Sequence, residues 1–151
     1  MSGMQHGMEH TPRGRADGKY FTIQEADQAL VLVKRIVTDI VREYHHLLDL
    51  QEGVDLAEAA RQFAKADAAR LKLAEAAEKL RLNLEELDEV GVSLRDWSVG
   101  IVDFPSIIDG KEVQLCWQVG EPKVNYWHEP HGGTHGRQPL STLLIDKACR
   151  R

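Results

Sequence analysis

The stretch GIVDFPSIIDGKEVQLCWQ, residues 100–118, decides the fold because an Asp-Gly pair separates two runs of alternating character. Asp109-Gly110 is the preferred sequence for a two-residue type I′ hairpin turn. A turn of that length fixes the register of both strands and places Asp103 opposite Cys116. The apolar face is then Val102, Phe104, Val113, Leu115 and Trp117. The opposite face carries Asp103, Pro105, Gln114, Cys116 and Gln118.

The segment before the hairpin has the apolar periodicity of a long helix. Thr22 and Glu25 form a capping-box sequence at its start. Apolar residues then recur every three or four positions to about Leu50. This stripe comprises Ile23, Ala26, Leu30, Val33, Val37, Ile40, Tyr44 and Leu47. We therefore expect an amphipathic helix whose apolar face packs on the rest of the domain.

A second helical segment follows the first. Gly53 is expected to break the first helix, and Asp55 is an N-cap candidate with Glu58 three residues later. The same three-four rhythm continues to Gly91, a glycine in the position of a helix C-cap. Because the connection is short, the two helices are predicted to form an antiparallel hairpin.

A third strand is predicted after the hairpin of residues 100–118. The sequence Gly-Glu-Pro at 120–122 marks a second turn, which returns the chain through Tyr126 and Trp127. If this loop has three residues, Gln114 pairs with His128, and His128 emerges on the same face as Asp103 and Cys116. A four-residue loop would turn His128 to the other face.

These elements predict an α+β protein, with helices over about 22–50 and 55–90 and a small antiparallel β-meander over about 92–128. A single domain is expected over residues 20–140. Residues 1–19 are polar and rich in Gly and His, so we expect a disordered tail. Residues 141–151 are expected to be a C-terminal tail or a short helix. The apolar stripe of the helices exceeds what a small sheet covers, which favours a homodimer through the hairpin.

Composition limits the function classes. The formal net charge is −5, which disfavours binding of the whole chain to nucleic acid or to an anionic membrane. The two cysteines, Cys116 and Cys149, have no disulfide-framework spacing, which is typical of a reducing compartment. No apolar stretch reaches the length of a membrane span. We therefore expect a cytoplasmic protein without nucleic-acid or membrane partners.

A metal site is the first candidate for chemistry. In the register above, Asp103, Cys116 and His128 share one patch, and carboxylate, thiolate and imidazole are zinc ligands. His131 and His135 are candidate further ligands from the loop. The same three strand residues also form, in outline, a thiol nucleophile with its base and carboxylate. The structural alternative is a locally paired carboxylate, a small buried thiol and a histidine that donates to a backbone carbonyl.

An anion site is the second candidate. The loop HEPHGGTHGRQP, residues 128–139, combines glycines, whose backbone N–H groups can line a concavity, with an arginine fork suited to phosphate or carboxylate. The candidate ligand-binding residues are His128, Gly133, Gly136 and Arg137. No nucleotide-binding spacing is present. The structural alternative is that Arg137 forms a salt bridge to Glu121 or Glu129 and holds the loop against the sheet.

Several of these motifs together resemble a bacterial family catalogued as domain of unknown function 2203. The resemblance covers about residues 20–140 and rests on FTIQEA, GIVDFP, LCW, GEP, WHE and GRQP, in that order. It implies these domain boundaries and a bacterial cytoplasmic setting, and it implies no chemistry because the family has no established activity. The family pattern has an acid at His131 and a large apolar residue at Thr134. The resemblance therefore does not imply a metal site that uses His131 or His135.

Two functional hypotheses follow. The first is a non-enzymatic binding or interaction module without a cofactor, which dimerises through the helical hairpin and holds an anionic group at the loop between His128 and Arg137. The second is a metal-dependent enzyme of hydrolytic type, in which Asp103, Cys116 and His128 hold zinc or another divalent ion. Neither the substrate nor a partner follows from the sequence.

Overall fold

The computed structural model of the protein describes residues 19–131 and 136–143, and within them it shows two long packed helices followed by a five-stranded antiparallel sheet. The helices are α1 (Ile23–Ala59) and α2 (Phe63–Val90). The strands are β1 (Ser93–Asp96), β2 (Ile101–Ile108), β3 (Lys111–Gln118), β4 (Tyr126–His128) and β5 (Gln138–Pro139). Each strand pairs with the next one along the chain. The predicted α+β class, with a helical hairpin before a meander, is confirmed.

Helix α1 begins where the capping box was predicted. The Glu25 backbone N–H donates to the Thr22 hydroxyl over 3.0 Å, and the Thr22 N–H donates to the Glu25 carboxylate over 2.9 Å. These two bonds satisfy donors that would otherwise lack partners in the first helical turn. The backbone N–H of Phe21 donates to the carbonyl of Pro105 in β2 over 2.7 Å, so the start of α1 is attached to the sheet.

The predicted helix break at Gly53 and the predicted N-cap at Asp55 are wrong. Helix α1 continues through both residues, and the turn lies at residues 60–62, where Arg61 adopts the left-handed conformation with φ 58°. A glycine inside a helix costs only about 0.5–1 kcal/mol relative to alanine. Val54 and Ala57 flank this position and are buried in the hairpin, and their burial offsets that cost.

The predicted strand registers are confirmed. Asp109 and Gly110 have φ of 58° and 78°, as a type I′ turn requires. Asp103 lies opposite Cys116 across β2 and β3. Gln114 lies opposite His128 across β3 and β4. This is the pairing predicted for a three-residue loop at the second turn.

The core lies between the inner face of the sheet and one end of the helical hairpin. The inner-face residues are buried as predicted, namely Val102, Phe104, Val113, Leu115 and Trp117. They pack with the N-terminal part of α1, from Ala26 to Ile40, and with Leu80 and Leu87 of α2. The other end of the hairpin, around residues 60–62, extends beyond this cluster. Three large apolar residues near that end are exposed, namely Leu56, Phe63 and Leu71.

Some predictions concern segments outside the described residues. These segments are residues 1–18, which make up nearly all of the predicted N-terminal tail, residues 132–135 and residues 144–151. Residues 140–143 form a helical turn. Within the part of the chain that is described, neither α1 nor α2 contains a stretch long and apolar enough to cross a membrane.

Candidate metal centre

The outer face of the sheet, opposite the core, carries buried polar side chains. Strand alternation places Asp103 of β2, Cys116 of β3 and His128 of β4 on this face. They are only 7%, 1% and 1% exposed, respectively. Polar groups removed from water are costly unless they find partners, so the contacts among these three residues determine what the site can do.

The three predicted strand residues come together. One ligating atom from each of Asp103, Cys116 and His128 lies within 4.8 Å of the others. The imidazole of His128 reaches diagonally over β3, and its Nε2 lies 2.8 Å from Asp103 Oδ1. Its Nδ1 lies 2.8 Å from the carbonyl oxygen of Glu129. A carboxylate, a thiol and an imidazole nitrogen therefore face one small volume.

Arg95 of β1 is a member of this group that the sequence analysis missed. Its Nε donates to Asp103 Oδ2 over 3.0 Å. Its Nη2 lies 2.6 Å from His128 Nε2 and 3.2 Å from Nδ1 of the same ring. The register of β1 against β2 shifts between Leu94 and Asp96, and this bulge contains Arg95.

No single protonation state of His128 satisfies all of these contacts. The carbonyl of Glu129 only accepts, so Nδ1 carries a hydrogen. If Nε2 is unprotonated, it accepts from Arg95, but two acceptors then face each other across the 2.8 Å between Nε2 and Asp103 Oδ1. If Nε2 is protonated, it donates to Asp103, but the Arg95 Nη2 donor then meets another donor. In either state, Nε2 lies at hydrogen-bond distance from both the Asp103 carboxylate and the Arg95 guanidinium.

Arg137 borders the same group from the other side. Its Nε donates to Cys116 Sγ over 3.3 Å, and its Nη2 donates to Glu121 Oε1 over 2.6 Å. Its guanidinium stacks on the ring of Tyr126, with 4.1 Å between Cζ and the ring centroid. Although burial opposes it, the hydrogen bonds to Glu121 and Cys116 raise the pKa of Arg137. The guanidinium thus remains charged and fixes both Glu121 and the Cys116 sulfur.

Cys116 is a thiol in the metal-free protein at neutral pH. Burial and then the charge of Asp103 raise its pKa, Arg137 and Arg95 oppose the shift only in part, and the resulting pKa is about 11. A reactive cysteine nucleophile requires the opposite shift, since the thiolate is the attacking species. The thiol-nucleophile hypothesis therefore has no electrostatic support in this geometry.

Two further buried polar atoms on this face have no hydrogen-bond partner among the described residues. They are Gln114 Oε1 and Ser93 Oγ, on residues that are 4% and 5% exposed. Gln114 lies directly opposite His128, and Ser93 lies directly opposite Asp103. An unsatisfied buried polar group costs about 1–3 kcal/mol, so both positions call for an explanation.

The loop residues predicted as ligands are not brought to this group within the described chain. His131 is exposed and is not part of the ligand cluster. Gly133 and His135 lie outside the described residues. Gly136 has φ 146°, a backbone conformation that favours glycine. The alternative that the sequence analysis gave for Arg137, a salt bridge to Glu121, is present in the structure.

The fold and the site define an α+β protein in which a helical hairpin supports a β-meander with a buried Asp-Cys-His group on its outer face. The chain belongs to a family of uncharacterised conserved proteins, DUF2203, whose pattern matches residues 19–140. No curated protein matches the chain. No solved structure matches it either. The family agrees with the resemblance expected from the sequence and assigns no activity.

Proposed function

We propose that this protein binds a transition-metal ion of the zinc type through Asp103, Cys116 and His128. The observation that carries the proposal is the convergence of one oxygen, one sulfur and one nitrogen atom, which lie within 4.8 Å of one another. Sulfur and imidazole ligands favour zinc-type ions over magnesium or calcium, which prefer sites made of oxygen atoms.

The surroundings of the three residues support this proposal because each proposed ligand also makes a hydrogen bond to a group outside the ligand set. Arg95 holds Oδ2 of Asp103 and leaves Oδ1 available. The Glu129 carbonyl accepts from Nδ1 of His128, which leaves Nε2 as the ligating nitrogen. The Nε of Arg137 donates to the Cys116 sulfur, which stabilises a thiolate. Second bonds of this kind are common at metal sites and fix the direction of the ligands.

Only small movements are needed for the ion to bind. With bonds of about 2.0–2.3 Å, tetrahedral ligands lie about 3.4–3.8 Å apart. The separations within 4.8 Å would contract slightly, and the 2.8 Å between Nε2 and Oδ1 would open. Arg95 Nη2 would leave its position 2.6 Å from Nε2, while Arg95 Nε keeps its bond to Asp103.

The test is a zinc titration of the full-length, tag-free chain after treatment with a chelator. His6 and His10 are replaced with alanine so that the N-terminal segment adds no ligands. We expect one zinc ion per chain by elemental analysis. We also expect His128→Ala or Cys116→Ser to weaken binding by about 100-fold or more, since each removes a direct ligand.

Matched variants in the same chain serve as controls. His131→Ala removes an exposed histidine near the site, and Cys149→Ser removes the other cysteine. Both are expected to leave the zinc affinity unchanged. Substoichiometric zinc, or zinc lost equally in the His131 and His128 variants, would contradict the proposal.

Anion binding at the loop between His128 and Arg137 stays a prediction, and the contacts of Arg137 favour the metal proposal over it. The Nη2 of Arg137 is 2.6 Å from Glu121 Oε1, which also accepts from the Gln118 backbone over 2.9 Å. An anion at this guanidinium would have to displace a carboxylate that is already held in place from two sides. Such displacement costs the charge-assisted bonds that Glu121 makes.

The homodimer also stays a prediction, supported by exposed apolar side chains at the turn end of the hairpin. Leu56, Phe63 and Leu71 are 64%, 57% and 69% exposed. If this end is the interface, Phe63→Lys with Leu71→Lys is expected to convert a dimer into a monomer in sedimentation equilibrium. Val99→Lys, at an exposed position outside the two helices, is the control. A monomeric wild-type chain would refute the dimer.

A further inference from the structure

The unpartnered polar atoms beside the proposed metal ligands remain to be explained. Gln114 Oε1 is buried, and its carbonyl oxygen can only accept a hydrogen bond. Gln114 precedes Cys116 by two residues on β3 and lies directly opposite His128 on β4. Cross-strand partners on one face have Cβ atoms about 4.5–5.5 Å apart, so Gln114 is a direct neighbour of His128 and lies on the same face as Cys116.

Ser93 Oγ gives a second, independent observation of the same kind. Ser93 is buried, lies opposite Asp103, and its hydroxyl has no partner among the described residues. The three proposed ligands are therefore flanked on this face by two side chains that each have a buried oxygen atom without a partner among the described residues. A closed structural zinc site has four protein ligands, whereas the described residues supply three here, and a site with three protein ligands keeps a fourth position for water or substrate.

We propose that the metal ion at Asp103, Cys116 and His128 carries an exchangeable fourth ligand, a water molecule that donates a hydrogen bond to Gln114 Oε1. This inference rests on the proposed metal site and adds its type: an open site, of the kind that hydrolytic zinc enzymes use, and not a closed structural one. Gln114 is a positioning residue that holds the water and does not ligate the metal. Small anions that ligate metals compete with this water for the same position.

Cobalt(II) is the probe because its visible absorption reports the number and type of its ligands. The full-length chain with His6→Ala and His10→Ala is loaded with cobalt and titrated with sodium azide. We expect a thiolate-to-cobalt absorption band from Cys116, and azide is expected to change the visible bands in a saturable way. The change would show that azide replaces the fourth ligand.

The role of Gln114 is tested with Gln114→Met, which keeps the length of the side chain and removes the acceptor. Because azide then displaces a water that has lost one hydrogen bond, azide is expected to bind about 3- to 10-fold more tightly. Gln118→Met changes the same residue type four positions along β3 and is expected to leave azide affinity unchanged. Circular dichroism checks that both variants retain the fold.

Each outcome decides between the two proposals. If cobalt gives no thiolate band, the metal site itself is refuted, and the open site with it. If the thiolate band forms but azide never alters the visible bands, the metal site stands and the open fourth position is refuted. If azide binds equally well to the wild type and to Gln114→Met, the position is open but Gln114 does not hold its water.

Discussion

Alkylation of Cys116 in the folded, metal-free protein is expected to be about 100-fold slower at pH 8 than that of a thiol of ordinary pKa. Burial, followed by the charge of Asp103, raises the pKa of Cys116 from 9.0 to about 11. Two pKa units lower the thiolate fraction by about 100-fold, and the thiolate is the species that reacts. The measurement is the rate of modification by iodoacetamide as a function of pH, in a Cys149→Ser background so that Cys116 is the only thiol.

The shape of the pH profile separates the electrostatic effect from simple inaccessibility. Inaccessibility lowers the rate at every pH, whereas the raised pKa makes the rate of the folded protein continue to rise from pH 9 towards pH 11. The urea-unfolded chain is the control, and its rate of modification is expected to reach half of its maximum near pH 9. A plateau near pH 9 in the folded protein would contradict the prediction.

The same shift links protonation of Cys116 to stability. The folded state favours the neutral thiol, so the contribution of Cys116 to the free energy of unfolding is fully present below about pH 9. It is lost as the pH rises through about 11.

Phe104→Ala is expected to lower the free energy of unfolding by about 3–5 kcal/mol, the range for removal of a buried phenylalanine. Phe104 is fully buried on the inner face of β2. Its ring meets that of Phe21 edge to face, with 5.3 Å between centroids, so the substitution removes an aromatic contact between the sheet and the segment before α1. Urea unfolding followed by tryptophan fluorescence measures the change.

Ile107→Ala is the matched control because Ile107 lies on the same strand and is 50% exposed. Its loss is expected to cost less than about 1 kcal/mol, since the side chain already contacts water. Equal losses from the two substitutions would mean that the sheet is not attached to the helices through the inner face of β2.

The sheet could be predicted from the sequence because short turns fix registers. The two-residue turn at Asp109-Gly110 determines every pair between β2 and β3, and the observed pairs agree. The end of α1 could not be predicted in the same way. Gly53 and Asp55 give local signals for a helix end, but burial of neighbouring residues in the hairpin outweighs them. Local propensity is a small free-energy term, and packing determined the boundary.

The same distinction applies to the residues of the candidate site. Asp103, Cys116 and His128 lie on strands whose registers follow from the two turns, so their proximity could be predicted. Arg95 could not, because its position depends on the bulge that shifts β1 against β2. The sequence did contain one indication that Arg95 faces the outer side. Leu94 pairs with Val102 on the inner face, and alternation places the next residue, Arg95, on the outer face.

The order of the strands has a consequence for the speed of folding. Every strand is hydrogen-bonded to the strand that follows it, and the two helices are joined by a three-residue turn, so neighbouring elements can begin to pair from short connections. Chains dominated by such local contacts fold fast, because little loop entropy is lost before contacts form. The bond from Phe21 to Pro105 is a contact of long sequence separation. Docking of the meander onto the start of α1 is therefore expected to be the slow event in folding.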